Sequence, residues 1–465
     1  MIAVDDLRPM LGCYGDERVK TPHIDQLAAE SMLFEKAYCN YPKCGLSRLS
    51  LMTGLRPDTI GVYDHGQKNV EAFRERRADA VPLSRWFRDL GYETRSFGKI
   101  DHDGWNIPGD WSAPPKPGRE GEMKEIIDEA NPGGETIIAD RRACPVMLSP
   151  DVPDDHFFAG RMTNEVTALL AERKSEEPFF YAVGFRRPHL PFVAPKKYRD
   201  WYEPDPSWLA PNPDAPKGVP FFPWFNSDGY VGMAEALGEP MPEKMTAESA
   251  MAFNGMEMRS YLGVPVKGPI SQALQLELLG AYAACISYVD AQIGHIMQQL
   301  EKSGLRDNTI VVFWSDHGWH LGEMGAWGKM TNYEISTRIP FMISAPGKKP
   351  GRTSAFAELV DLYPTLCDLS GLEKPSHLEG DVLSPLLSDP GASVKSEIFT
   401  SYQRYNGRYF GRAVKNESYR FVRWVNRKGE LEVEELYDQV ADPLETTNIA
   451  AENPEVVREM TALLE

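Results

Sequence analysis

The chain has 465 residues, 42% of them hydrophobic and 25% charged, and a net charge of −18. That is ample material for a large soluble core, and the acidic balance excludes a general polyanion-binding surface, while leaving room for a local pocket built from a few Arg and Lys. No apolar run reaches the ~18 residues of a membrane span, and Cys13, Cys39, Cys44, Cys144, Cys285 and Cys367 form neither paired metal-ligand spacings nor a disulfide framework for a chain this long.

Met1-Ile2-Ala3-Val4 reads as a buried strand that has lost its start, with no charged and apolar leader ahead of it. It runs into Asp5-Asp6. Thr21-Pro22 predicts a helix start for residues 21–30. The segment Cys44–Thr53 is closed by Gly54 and Pro57. Residues 81–91 have helical apolar spacing and a glycine stop, and 92–98 read as a strand. An amphipathic helix is predicted at 156–173, a strand at 179–184, a long helix at 271–303 stopped by Gly304, and a strand at 309–314. Helices alternating with short buried strands predict a parallel α/β sheet. Residues 104–155 and 188–265, rich in Pro, Gly and aromatics, read as long functional loops or insertions. The pattern changes after about residue 390. Strand-like runs at 397–402, 408–415 and 419–425 lead to Leu436-Tyr437-Asp438, which predicts a small subdomain over 391–465 with an antiparallel sheet and a closing helix, after a main domain over 1–390.

Two acidic clusters fall at predicted strand ends, Asp5-Asp6 and Asp316-His317. Sites in open α/β sheets form outside the carboxyl ends of the strands, and several carboxylates together suit a hard cation such as Ca²⁺ or Mg²⁺. Either pair alone reads equally well as a turn or helix cap; their joint occurrence points to metal. Between them, Cys44-Gly45-Leu46-Ser47-Arg48 places a nucleophile candidate beside a cation, an arrangement suited to an anionic transition state.

That segment resembles the sulfatase signature, Cys-x-Pro-Ser-Arg followed by Leu or Met-Thr-Gly. The opening Ala3–Arg8, Thr21-Pro22-His23-Ile24-Asp25, Phe97–His102, Arg187–Phe192, Ser315-Asp316-His317-Gly318, Gly328-Lys329 and the tail Leu436-Tyr437-Asp438 with Asp442–Asn448 resemble the other type I sulfatase motifs, in family order along the whole chain. Asp316-His317-Gly318-Trp319 with Leu321-Gly322-Glu323, the Arg-Pro-His-Leu-Pro-Phe run and the spacing from Lys99 to His102 are most similar to the iduronate-2-sulfatase-like branch.

The resemblance implies an alkaline phosphatase-like α/β/α sandwich with a small C-terminal α+β subdomain. It implies a sulfuric ester hydrolase acting on a sulfated oligosaccharide or polysaccharide, exo on a uronic-acid-containing glycan. Cys44 would be converted to formylglycine by a formylglycine-generating maturation enzyme, then hydrated to a gem-diol. Asp5, Asp6, Asp316, His317 and the side chain at 44 would bind Ca²⁺. Arg48 and Lys99 would hold the diol and metal-site charges, and His102 the second hydroxyl. His189 and Lys329 would contact sulfate, with His189 the acid for the leaving alkoxide. Arg186, Arg187, Trp319 and Trp327, beside these motifs, are candidates for the sugar subsite, although the tryptophans read equally well as core. No nucleic acid or membrane span is expected, and a periplasmic or secreted location with the leader missing is. One position departs from the pattern: Leu46 stands where the family has Pro or Ala. Two other readings share these residues, a phosphodiesterase or phosphonate hydrolase of the same superfamily and a sulfoglycan-binding protein left unmatured because of Leu46.

Overall fold

In a computed structural model, the protein is described over residues 1–64, 66–102, 105, 107–118, 126, 129–130, 144–173 and 176–465. Seven strands form the central sheet: β1 (Ile2–Val4), β2 (Met32–Tyr38), β3 (Glu93–Gly98), β4 (Phe179–Phe185), β5 (Val311–Ser315), β6 (Arg338–Ser344) and β7 (Gly351–Glu358), in the spatial order β7-β2-β6-β5-β1-β4-β3. Their side chains alternate between two buried layers. Ile2, Val4, Val183 and Phe313 face one core, which includes the long helix Gln272–Lys302 and the helices Pro22–Ala29 and Phe158–Glu172. Ala3, Ala182, Val312 and Trp314 face the other, under the helices Leu83–Asp89 and Leu362–Leu369. Strands buried on both faces read as unbroken apolar runs, and β1, β4 and β5 do. This is the alkaline phosphatase-like α/β/α sandwich.

The sheet is not wholly parallel. β6 runs antiparallel to both β2 and β5, while the other pairs are parallel. The physical reason is the connection. Between Ser315 and Arg338 the chain makes a two-stranded hairpin and short helical turns, with no crossover helix long enough to return it to the far end of the sheet, so it re-enters from the end it left. The long stretch 188–265 is a loop carrying short helices, the last being Met256–Arg259. Of the stretch 104–155, residues 105, 107–118, 126, 129–130 and 144–155 are described and the rest lie outside the described residues.

A second sheet follows, β8 (Ile398–Arg404), β9 (Tyr409–Lys415), β10 (Tyr419–Asn426) and β11 (Leu431–Asp438), antiparallel throughout and closed by the helix Pro454–Leu464. Among the described residues no helix is long and apolar enough to cross a membrane.

Candidate active site

The register of the central strands aligns their carboxyl ends. Val4 lies opposite both Ser315 and Phe185, and Gly98 lies opposite Gly184. The next residues on each strand, Asp5-Asp6, Asp316-His317, Arg186 and Lys99, therefore meet above the sheet. Gly98 has a φ of +67°, and a Cβ there would come within 2.0 Å of the Gly184 carbonyl oxygen. Only glycine allows the approach that seats Lys99 beside β4.

The helix Cys44–Thr53 enters the same space with its N-terminus, and Gly54 stops it in the left-handed conformation. Two of its side chains fasten it to β5: Ser47 Oγ donates to the Asp316 carbonyl at 2.5 Å, and Arg48 Nε donates to Asp316 Oδ2 at 2.8 Å. Arg48 also reaches Asp5 Oδ1 at 3.4 Å and the carbonyls of Lys99 and Ile100. Leu46, the departure from the motif, is buried in an apolar cluster with Tyr41, Leu49, Leu55 and Ile60.

Cys44 is thereby held among charges. Its Sγ is 3.1 Å from Lys329 Nζ and 3.4 Å from His317 Nε2. Lys329 Nζ also donates to Asp6 Oδ1 at 2.7 Å, and Lys99 Nζ to Asp5 Oδ2. The positive end of the helix dipole adds to this field, which favours an anion at position 44. Burial pushes the Cys44 thiol up, against Lys329 and Lys99. Burial alone would raise Asp5, but Lys99, His189, Arg48 and Lys329 together hold its carboxyl well below the usual range. Asp6 goes the other way: burial raises it well above the ordinary value, with Asp5 and Cys44 adding to that and Lys329 and His317 opposing it.

Asp6 is the strained member. Its φ is +60°, and its conformation is pinned by Tyr282, whose hydroxyl donates to the Asp6 carbonyl at 2.7 Å and accepts from Arg8 N at 3.1 Å. Its Oδ2 is buried and has no hydrogen-bond partner among the described residues. One ligand atom each from Asp5, Cys44, Asp316 and His317 lie within 4.8 Å of one another, and so do those of Asp5, Asp6, Cys44 and His189. His317 Nδ1 donates to the Gly318 carbonyl at 2.9 Å, which leaves Nε2 facing Asp6 Oδ1 at 3.4 Å. An orphaned carboxylate oxygen and three convergent carboxylates fit a hard divalent cation, with the His317 imidazole turned toward them.

His189 projects from the loop after β4. Its Nδ1 donates to the Leu190 carbonyl at 2.7 Å, and its Nε2 lies 3.9 Å from Asp6 Oδ2 and 3.6 Å from Glu257 Oε1. Arg187 is buried and donates to the His189 carbonyl at 2.7 Å, which braces the histidine. Arg186 is half-buried at the same strand end. His102 packs on Trp105, with ring centroids 5.1 Å apart.

The tryptophans correct the expectation of a stacking surface. Trp319 and Trp327 are 0% and 3% exposed and belong to the main core. Trp319 lies beneath Lys329 Nζ, 5.2 Å from its ring centroid, so it supports the lysine and presents no face to a ligand. Glu257, by contrast, went unnoticed in the sequence. It lies on the short helix Met256–Arg259 with no motif around it, and only the fold carries it to His189.

Comparison with known proteins matches this arrangement. Residues 1–372 match the sulfatase family model, and residues 322–465 match that of the C-terminal region of N-sulphoglucosamine sulphohydrolase. Mouse (Mus musculus) iduronate 2-sulfatase is 35% identical over 412 residues, covering 81% of this chain and 69% of that protein. In fold, the chain is similar to the phosphonate monoester hydrolase of Agrobacterium radiobacter, with a TM-score of 0.72, 22% identity and coverage of 100% and 94%. It is also similar to a 2-O GAG sulfatase, with a TM-score of 0.68, 22% identity and coverage of 100% and 90%. With a nucleophile position ringed by cations at the strand ends and a family match running through β7, this chain belongs to the sulfatase family and is a sulfuric ester hydrolase.

Proposed function

We propose that this sulfatase acts on a sulfated, uronic-acid-containing glycan in exo mode, with Cys44 matured to formylglycine and Ca²⁺ as its metal. The observation that carries the reading is the setting of position 44, a small side chain at a helix N-terminus between Lys329 and His317, with Asp5 and Asp316 alongside. Asp5, Asp6, Asp316 and His317 would hold the cation, which would supply charge to offset the acids and polarise a sulfate oxygen. Formylglycine, once hydrated, supplies one hydroxyl as nucleophile toward sulfur and a second through which sulfate is later released.

The chain's own residues do the remaining work. Lys329 places positive charge where sulfate oxygens would gather. Arg48 pairs with Asp316 and Lys99 with Asp5, and these cations favour the ionised form of Asp5. His102, three residues beyond Lys99, is assigned to the second hydroxyl. His189 is assigned the proton for the departing sugar oxygen. Burial, with Lys329 and Lys99, holds its imidazole well below the usual range. The negative charge of a sulfate ester beside Nε2 would raise that proton affinity, so protonation is coupled to substrate binding. The likeness to a mouse iduronate 2-sulfatase supports a sulfated uronic acid as the substrate class, with half-buried Arg186 assigned to its carboxylate.

The test joins maturation to activity. Protein co-produced with a formylglycine-generating enzyme should carry formylglycine at position 44 by peptide mass spectrometry. It should release sulfate from a uronate 2-sulfate saccharide, and lose that activity to a calcium chelator. His189→Ala should lower turnover of the sugar sulfate by roughly 10²- to 10⁴-fold and spare an aryl sulfate, whose phenolate leaves unaided. An unmodified Cys44, or turnover of a phosphonate monoester with none of sulfate esters, would sink the reading.

A further inference from the structure

Three cations around position 44 are matched to acids: Lys99 donates to Asp5, Lys329 to Asp6 and Arg48 to Asp316. Lys43, one residue ahead of Cys44, is a fourth, and no step described above uses it. It caps the helix Cys44–Thr53 in an extended conformation, with φ −156° and ψ 131°. Its backbone is held on both sides. Lys43 N donates to the Tyr41 carbonyl at 2.8 Å, its own carbonyl accepts from Ser47 N at 3.1 Å, and the Pro42 carbonyl accepts from Met330 N at 3.0 Å. Extended backbone sends successive side chains to opposite sides, so Lys43 does not follow Cys44 toward Asp5 and Asp316. Its ammonium lies in the field of Asp228, Cys44 and Glu257, which oppose the lowering of its proton affinity by burial and by Lys329. Among the described residues it closes no ion pair and donates no side-chain hydrogen bond. Lys43 is half-buried, and its Nζ stays accessible. Asp228 is engaged elsewhere, Oδ1 accepting from Arg404 Nη1 at 2.9 Å and Oδ2 from Tyr405 N at 2.7 Å. Glu257 stands at His189, with Oε1 3.6 Å from Nε2. The wall that carries it is fixed: Ser227 Oγ accepts from Met256 N at 2.8 Å, and Asn254 Oδ1 accepts from Asn226 N at 3.0 Å.

Lys43 thus places positive charge on the Glu257–His189 side of position 44. That is the side from which the sugar departs if His189 is the leaving-group acid. The sulfate that is cleaved already has Lys329, whose Nζ is 3.1 Å from Cys44 Sγ. Resting on the reading of His189 as that acid, we propose that Lys43 is a specificity-determining residue that pairs with a second anionic group, a carboxylate or a further sulfate, on the leaving saccharide. The preferred substrate therefore carries two anions, one in the ester that is cleaved and one that is only held. An ammonium suits this task, because a point charge with three rotatable donors meets carboxylate and sulfate oxygens alike. The hydrogen bond is charge-assisted on both sides, and a half-buried setting strengthens it over one in open water. The nearby acids do not bar such an anion: Arg404 offsets Asp228, and Glu257 lies against the His189 imidazole.

The test uses the matured enzyme with four substrates: a uronate 2-sulfate, a neutral sugar disulfate, a neutral sugar monosulfate and 4-nitrophenyl sulfate. Because Lys43 adjoins the residue that is modified, rates are divided by the formylglycine content of each preparation, read by peptide mass spectrometry. Lys43→Gln, checked for an unchanged thermal melt, should lower kcat/KM on at least one dianionic sugar by about 10- to 100-fold, chiefly through KM. It should leave the neutral monosulfate and the aryl sulfate within about threefold. A loss confined to the uronate identifies the held group as a carboxylate, and one confined to the disulfate identifies it as a sulfate. Lys43→Arg should recover most of the lost preference, since it restores the charge. Equal losses on all four substrates would overturn the proposal and make Lys43 a support for its neighbours; no loss on any would overturn it as well. Wild-type protein inert on every sulfate ester would instead bring down the underlying reading of the site, and this one with it.

Discussion

Two of the clusters of buried charge among the described residues are finished differently. At the joint between the sheets, Arg420 is fully buried and donates to Glu445 Oε1 at 2.6 Å, Glu334 Oε2 at 2.5 Å and the Asn332 carbonyl at 3.0 Å. The remaining carboxylate oxygens are used too, Glu445 Oε2 by Glu334 N at 2.8 Å and Glu334 Oε1 by Tyr38 Oη at 3.0 Å. The candidate-site cluster also matches cations to acids, but it leaves Asp6 Oδ2 without a hydrogen-bond partner among the described residues, holds Asp6 in a left-handed conformation and keeps a thiol among the charges. A saturated cluster joins two parts of a fold. An unsaturated one keeps its capacity for a ligand, at a cost in stability that the surrounding structure carries.

Four measurements would break or sharpen that contrast. The largest effect is expected from Cys44→Ala, which should lower kcat for sulfate ester hydrolysis by at least roughly 10⁴-fold while the thermal melt stays near wild type. A comparable rate in the variant would remove position 44 from the chemistry. Next, Arg420→Ala should cost about 3–5 kcal/mol in urea denaturation, since it takes the cation from buried Glu445 and one of two from half-buried Glu334, while the folded protein keeps its kcat. If Asp6→Asn destabilised the metal-free protein by as much, the two clusters would be alike and the comparison would fail.

Asp6→Asn carries the third test. Added Ca²⁺ should stabilise wild type, by about 2.7 kcal/mol at a hundred times its Kd, and the variant should lose most of that gain in paired melts with calcium and with chelator. Equal gains in both would place the cation elsewhere. The smallest effect concerns acid. Burial works to raise Glu334, but Lys415, Arg420 and Arg338 bring its carboxyl down from 4.5 to about 2. A folded pKa below the unfolded one stabilises the protein above pH 4.5, and this contribution is lost as pH falls from about 4.5 toward 2. The acid-unfolding transition of Arg420→Ala should accordingly begin at higher pH than that of wild type; coincident transitions would show that Arg420 does not hold Glu334 ionised.

The candidate-site cluster was far more legible in the sequence than the joint. Asp5-Asp6 and Asp316-His317 follow apolar runs that read as strands, and strand ends in such sheets are where sites form. Cys44, Ser47 and Arg48 lie within one helical turn or so of each other, so one local segment announces all three. Arg420 and its partners are spread over Glu334, Glu445 and Asn332, with nothing local to mark them. Glu257 and His189 are likewise far apart in the chain and meet only through the 226–259 loop network. Trp319 and Trp327 show the converse: a motif placed them beside the site, but a motif does not say which way an indole points.

What the sequence by itself determined was the set of elements and the chemistry at their ends. Apolar periodicity marks the long helix and the buried strands, and residue type marks the acids, the nucleophile position and the cations, because both are properties of a few consecutive residues. The tertiary structure alone decided that β6 runs backward, that Leu46 packs as a core residue, that Arg187 and Trp319 brace their neighbours, and that Glu257 stands at His189. Each of these depends on which distant surfaces meet and how much room they leave, and that is settled by packing across the whole chain.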